Sequence, residues 1–383
     1  MIYCDNAALH PLLSEVKEVI RDFLDADYCN PSAIYSGGYR TRKVIENARA
    51  VVAESIGADP EEIYFTSGAT EGVNWFCHFP NSDDRFLLMA GVEHKAALRN
   101  IGRRDFLPVD ENGVIVLDRF RNIVTSLKGA FSVVVGWVNN EIGTIQPIKE
   151  IADICREARA CLCIDATQAI GRVPINVHEL GCSVLVGSFG KLGGLSGSGF
   201  IYIRDGAWLD PMIKGGGQER GMRAGTENII GILCGAKAIE VATRDIVKRA
   251  EATAHKRDRI ICELLKLPKT YLNGSLGNRV CNNVNIAFAG VEAETLVLQL
   301  DLAGITASAG SACNSADMQP SHVLKAIGLG DDLARSSVRF TIGDDMTDEE
   351  VDYLIATVRE KIRILREASP AWRKMNAEDI SGV

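Results

Sequence analysis

Between about residues 60 and 205, short apolar runs alternate with stretches of helical periodicity. Ile63-Tyr64-Phe65, Phe86-Leu87-Leu88-Met89, Val133-Val134-Val135, Leu162-Cys163-Ile164 and Val184-Leu185-Val186 read as strands buried on both faces. Helical segments such as 148–159 lie between some of them. This alternation predicts a mostly parallel sheet covered by helices. Upstream, Leu13, Val16, Val19, Ile20 and Phe23 recur at helical spacing and predict an amphipathic helix.

Beyond residue 205 the pattern changes. A long proline-free helix is expected over 227–253, linking two domains. A helix near 257–265, a strand near 282–288, a helix near 292–300, a strand at 337–341 and a closing helix over 348–366 follow. That mix predicts a smaller α+β domain. The last dozen residues are expected to be poorly ordered. No internal repeat or low-complexity tract interrupts the chain.

Composition narrows the class. The chain has 383 residues, 46% hydrophobic and 24% charged, as in an ordinary soluble protein. Its net charge of -8 offers no basic face for direct nucleic-acid binding. No run of about 18 apolar residues predicts a membrane span. The opening Met1-Ile2-Tyr3-Cys4-Asp5-Asn6 lacks the basic-then-apolar order of a signal peptide, so a cytoplasmic protein is expected. Eleven cysteines are scattered without a Cys-x-x-Cys pair. Neither a disulfide framework nor a zinc site is expected, and Cys161 and Cys163 read as strand residues.

Four stretches carry candidate chemistry. In Phe65-Thr66-Ser67-Gly68-Ala69-Thr70-Glu71, small residues between a strand and a helix suit a phosphate cradle. A plain N-cap at Thr66 or Ser67, helped by Glu71, fits the same residues. Asp165 ends an apolar strand, where ligands of parallel sheets gather. A carboxylate there can keep a pyridine nitrogen protonated; alone, it reads better as a helix N-cap. Lys191 follows another apolar strand and precedes a Gly-rich run, Gly193 to Gly199. Lysine forms imines with carbonyls, although a surface loop lysine is the simpler reading in isolation. Cys313 lies in Ser308-Ala309-Gly310-Ser311-Ala312-Cys313-Asn314-Ser315, a stretch nearly devoid of core residues. Packing does not explain a cysteine there, and a reactive thiol does. His94 opens a helix and could stack on a ring or move a proton. Arg339 sits on an otherwise apolar strand, where its fork suits a carboxylate or a structural ion pair.

These residues carry a resemblance. Over nearly its whole length the chain resembles the pyridoxal phosphate (PLP)-dependent cysteine desulfurases of the class-V aminotransferase, fold type I group. The matching stretches include Tyr3 to Ala8, Asn30-Pro31-Ser32, Phe65 to Glu71, Glu93-His94, Asn139 to Gly143, Asp165 to Gln168, Gly215 to Arg220, Arg223 to Asn228, Gly310 to Cys313 and Pro320 to Leu324. The resemblance implies an α/β fold with a mostly parallel, seven-stranded sheet in a large domain over 12–255. A small domain would comprise 1–11 and 256–383 and carry the cysteine loop. Lys191 would hold PLP, His94 would stack on its ring, Asp165 would pair with the pyridine nitrogen and Gln168 would contact the ring oxygen. Ala69, Thr70 and Ser188 would hold the phosphate, with Thr226 donated across a homodimer. Arg339 and Asn140 would bind the carboxylate of L-cysteine. Cys313 would take the sulfur as a persulfide, release L-alanine and pass the sulfur to an acceptor protein.

The chain also departs from that family's pattern. Gly190 replaces the histidine usual before the lysine, Tyr35 replaces another, Gly193 to Gly197 replaces a Tyr-Gly-Pro-Lys-Gly loop, and Leu9-His10 replaces a threonine pair. These departures tilt the expected pathway from iron–sulfur assembly or tRNA thiolation toward DNA phosphorothioation. The rival readings are a selenocysteine lyase or other PLP lyase, and a retired PLP fold kept as a scaffold. Cys313 argues against the first. Joint retention of Lys191, Asp165, His94, Arg339 and Cys313 argues against the second.

Overall fold

A computed structural model describes residues 1–78, 86–100, 104–127, 129–207, 209–309 and 320–381, the last six as backbone. Its strands are β1 (Ile2–Tyr3), β2 (Ile63–Thr66), β3 (Phe86–Ala90), β4 (Arg104–Leu107), β5 (Phe131–Gly136), β6 (Cys161–Asp165) and β7 (Val184–Ser188). They continue with β8 (Gly199–Ile203), β9 (Thr270–Leu272), β10 (Asn283–Phe288), β11 (Ile305–Thr306), β12 (Ser308–Ala309) and β13 (Ser337–Thr341).

A seven-stranded sheet runs in the order β2-β8-β7-β6-β5-β3-β4. Neighbours from β7 to β4 are parallel; β8 alone runs against both of its neighbours. The five apolar runs all lie in this sheet. Their lack of alternation follows from helices covering both faces, which leave no solvent side to favour polar residues. One core packs against one face, with Val133, Val135, Leu162, Ile164, Leu185 and Phe200. On the other face, Val73, Trp75, Met89, Val134, Val186 and Ile201 form a second core.

A four-stranded antiparallel sheet, β12-β13-β10-β9, has its own core of Val284, Ile286, Phe288, Val338, Phe340, Val351 and Val358. Cys4 joins that core, and β1 pairs in parallel with β11, so the N-terminal strand packs against the C-terminal part of the chain.

Two expectations are corrected. The helix expected over 227–253 is two helices, Ile229–Thr243 and Ile246–Leu264. Asp245 between them has φ +49°, a left-handed conformation that an uninterrupted helix cannot contain. Helix Pro370–Ser381 packs back through Trp372, whose ring lies 4.0 Å below the Arg366 guanidinium. The apolar-run reading also passed over β4 and β8. β4 is an edge strand with three exposed residues, and β8 is buried throughout but follows directly on the Gly-rich run.

Candidate active site

The parallel strands end on one cleft of about 420 Å³. Ser67, Gly68, Ala69, Thr70, Glu93, His94, Asn140, Asp165, Thr167, Gln168, Ser188, Lys191, His322 and Arg339 all line it. Of the site residues read from the sequence, Ala69, Thr70, His94, Asn140, Asp165, Gln168, Ser188, Lys191 and Arg339 are brought together. Thr226 is not: it is exposed and outside the cleft. Cys313 lies outside the described residues.

Lys191 is placed by its neighbours. β7 ends at Ser188, and a single turn, Phe189–Lys191, follows. Phe189 is fully buried and stacks on Phe200 with ring centroids 5.6 Å apart. Helix Ile229–Thr243 crosses that ring at Gly235, where a Cβ would fall 2.1 Å from Phe189 Cδ2. With Phe189 clamped, the next two residues have little freedom. The Lys191 amine reaches the cleft and donates to the Ala8 carbonyl.

Asp165 closes β6. Its Oδ1 accepts the Thr167 N–H at 3.0 Å, but turns rather than a helix follow β6, so the N-cap reading is corrected to a local side-chain turn, and the side chain lines the cleft. Gln168 is pinned by donation from Nε2 to the Ala7 carbonyl at 3.0 Å. His94 caps helix Lys95–Leu98, its Nδ1 accepting from the Ala96 N–H at 3.1 Å.

The loop 66–71 enters helix Ala69–Cys77 through Gly68, whose φ of +149° few side chains tolerate. Gly68, rather than Thr66 or Ser67, is the N-cap, and no side chain caps this helix. The N–H groups of Ala69 and Thr70 therefore stand in a first turn that supplies no acceptor of its own. A Cβ on Gly199 would lie 2.6 Å from Gly68 Cα, so β8 supports the loop by direct backbone contact. Glu71 points away to Arg223, with bonds of 3.0 and 3.3 Å. Burial raises the Glu71 pKa, but hydrogen bonds from Arg223 and Ser67 outweigh it and hold the carboxyl below its ordinary range.

Arg339 is 1% exposed. It donates to Asp5 Oδ1 at 2.8 Å and to the Asn140 carbonyl at 2.9 Å. Its Nε has no partner among the described residues. Two other buried polar atoms lacking partners there, Thr167 Oγ1 and His322 Nδ1, also belong to residues lining this cleft.

Glu93 is the residue that sequence reasoning passed over. It is buried, and its Oε2 accepts the Gly136 N–H at 2.7 Å. Burial, reinforced by the nearby Asp165 carboxylate, pushes its carboxyl up to about 8, with the backbone hydrogen bonds opposing. A neutral acid thus lies beside the strand end that carries Asp165. Its only sequence signal was its place before His94. His322 was likewise seen only within a matching stretch; its Nε2 meets the Glu93 carbonyl at 2.9 Å.

Most of the other cysteines behave as core residues, while Cys262 is exposed and Cys29 half-buried. Burial pushes the thiols of Cys4, Cys77, Cys155 and Cys182 up to about 12, which keeps them protonated. Cys161 and Cys163 do lie on a strand, β6.

The donor set fits PLP. An amine, a carboxylate, a helix N-terminus and an imidazole surround one cleft, and three of its buried polar atoms await partners. This matches an aldehyde, a ring nitrogen and a phosphate on one molecule. No described helix is long and apolar enough to cross a membrane.

Comparison with known proteins agrees. Residues 2–354 match the aminotransferase class-V family. Cysteine desulfurase IscS of Methanosarcina thermophila is 41% identical over 97% of this chain and 95% of its own. Cysteine desulfurase IscS of Dictyoglomus turgidum is 40% identical, covering 96% of each. A solved NifS-like protein superposes with a TM-score of 0.86 at 30% identity, over 95% of this chain and 99% of its own.

Proposed function

This chain belongs to the aminotransferase class-V family and is a PLP-dependent cysteine desulfurase, and from that premise we propose how its residues divide the work. The observation that carries the proposal is the meeting of Lys191, Asp165, His94 and the 66–71 loop at one set of strand ends. PLP, when bound, supplies the electron sink that C–S cleavage needs.

Lys191 holds the cofactor and moves protons at the substrate's α-carbon. Asp165 keeps the ring nitrogen protonated, and the neutral Glu93 beside it adds no second negative charge. His94 covers the ring, and Gln168 bonds its oxygen. Ala69, Thr70 and Ser188 hold the phosphate. Arg339 and Asn140 take the substrate carboxylate, Arg339 by exchanging part of its pairing with Asp5. Cys313 accepts the sulfur. L-cysteine and the Cys313 thiol give L-alanine and a Cys313 persulfide: a C–S bond breaks, an S–S bond forms and a hydrogen moves to carbon, with no external oxidant. The alternative, a lyase that needs no thiol, predicts turnover without Cys313.

The protein works as a homodimer in which Thr226 serves the partner's phosphate. Its exposure, outside its own chain's cleft, supports that reading. Residues 12–255 form the large domain, and 1–11 with 256–383 the small one. The compartment is the cytoplasm, and the acceptor is a protein of a dedicated pathway such as DNA phosphorothioation.

The test is a pair of variants. Cys313→Ala should keep the cofactor's visible absorbance, bind cysteine and release no alanine. Normal alanine release would move the protein to the lyase class. Thr226→Ala should weaken PLP binding, and sedimentation should return a dimer.

A further inference from the structure

A second cavity of about 430 Å³ lies behind Lys191 and is walled by the N-terminal segment, Arg172 and the Gly343–Asp345 turn. We propose that this cavity is a separate ligand site that takes a compact oxyanion, a carboxylate or a phosphate group, on Arg172.

Three buried guanidiniums of this fold are well paired, and the half-buried Arg172 differs from them. Arg49 meets two carboxylates and a carbonyl. Arg279 meets the carbonyls of Ser275 and Asn273 and the amide oxygen of Asn283. Arg257 meets Asp258 and the carbonyls of Arg279 and Val280. Arg172 has one hydrogen bond among the described residues, from Nη1 to the Gln168 carbonyl, and at 3.4 Å it is long. A guanidinium carries five N–H donors. The rest of this one is left to the cavity.

The neighbouring charges are already engaged or lie at the mouth. Arg249, on the same wall, is satisfied by Asp344 and by the carbonyls of Val241, Ala242 and Arg244. Asp344 also accepts from Thr253 at 3.1 Å. Asp345 is exposed at the rim. His10, on the opposite wall, is turned to the Pro11 carbonyl, and burial lowers its pKa, so it brings no competing charge. Burial likewise disfavours the charged form of Arg172, and a bound anion would reverse that.

The backbone that carries Arg172 is also held in place. Gly171 has φ +75°, and a Cβ there would lie 2.9 Å from Ala242 Cβ, so the backbone before Arg172 is fixed against helix Ile229–Thr243. A fork with open donors, carried on fixed backbone, is suited to two-point capture of an oxyanion. Lys191 lines both cavities. A charge held on Arg172 is therefore placed to act on the amine that the reaction uses.

The experiment uses PLP-saturated enzyme, so that the cofactor's own phosphate cradle is filled. Thermal unfolding is followed during titration with inorganic phosphate and, separately, sodium acetate, at constant ionic strength. A saturable rise in Tm with either probe is expected, and the better probe identifies the group the site prefers. Arg172→Gln should keep the cofactor absorbance and weaken the apparent Kd about tenfold or more, as loss of charge-assisted hydrogen bonds requires. Equal titrations of the two proteins would overturn the proposal. Should Arg172→Gln fail to fold, a selenate soak of wild-type holoenzyme crystals decides instead. An anomalous peak beside Arg172 supports the site, and a cavity without one overturns it.

Discussion

Arg49 and Arg339 are both buried guanidiniums that face a carboxylate, and they lie in different parts of the molecule. Arg49 sits beside β2, at the edge of the large sheet. It is 2% exposed and makes a two-point pair with Glu219 at 2.8 and 2.9 Å. Glu46 and the Ile63 carbonyl take its remaining donors, and its plane lies 4.7 Å over the Phe65 ring. Glu219 is closed from the other side by the Phe65 N–H at 2.8 Å. Every charge in this cluster has its partner. Arg339, in the cleft, has one bond to Asp5, one to a carbonyl and an Nε with no partner among the described residues. An unmade buried hydrogen bond costs about 1–3 kcal/mol, so such a residue is strained toward a ligand, whereas Arg49 has nothing left to offer one. In this pair, saturation goes with scaffold and shortage with site. Arg172 extends that contrast to a second cavity.

The largest expected effect tests the cleft itself. Lys191→Ala should lose the cofactor's absorbance band and alanine formation together while the fold survives by circular dichroism. A full band in that variant would falsify the assignment of Lys191. Next comes the scaffold. Glu219→Gln leaves the Arg49 charge short of its two-point partner, and breaking a buried pair costs about 3–5 kcal/mol. Urea unfolding should show that loss, while the KM of the surviving enzyme for cysteine stays near wild type. A matching rise in KM would blur the line between scaffold and site.

Arg339→Ala should act in the opposite sense. Loss of a desolvated carboxylate contact costs about 2–5 kcal/mol, or roughly 30-fold or more in apparent affinity. The cofactor spectrum should not change. An unaltered KM would return Arg339 to the structural class, as a partner of Asp5 only.

The last effect concerns Glu93 and emerges only as pH rises. Its carboxyl is raised to about 8 in the folded protein and titrates near 4.3 in an unfolded chain. Between those values the folded state holds the extra proton, so stability declines as pH rises from about 4.5 to about 8. Glu93→Gln keeps an acceptor for the Gly136 N–H and removes the titration. Unfolding midpoints of wild type and variant should agree near pH 4.5 and separate in the variant's favour by pH 8. A constant difference across that range would mean that Glu93 is ionised in the folded protein.

Much of this was legible in the chain before any coordinates. The buried runs at Val133–Val135, Leu162–Ile164 and Val184–Val186 betray a covered sheet, because a strand wet on one face needs polar residues at alternate positions and these have none. Lys191, Asp165 and the 66–71 loop could be picked out because each sits just past such a run. Local chemistry and local period are written in neighbouring residues, and they were enough for the class of fold and for the main groups of the cleft.

What stayed hidden depends on contacts between residues far apart in the chain. β4 escapes the pattern because an edge strand is half exposed, and the break at Asp245 because a left-handed residue need not be glycine. Nothing near Glu93 says that Gly136 and Asp165 will enclose it. Nothing near Asp5 says that it will face Arg339, 334 residues away. Arg172 reads like any surface arginine until Ala242, His10 and Asp345 close around it. Sequence determines which groups are present and which faces they prefer. The ionisation of a carboxyl, the completeness of a guanidinium's pairing and the presence of a cavity are set by desolvation and by distance, and those exist only once the chain has folded.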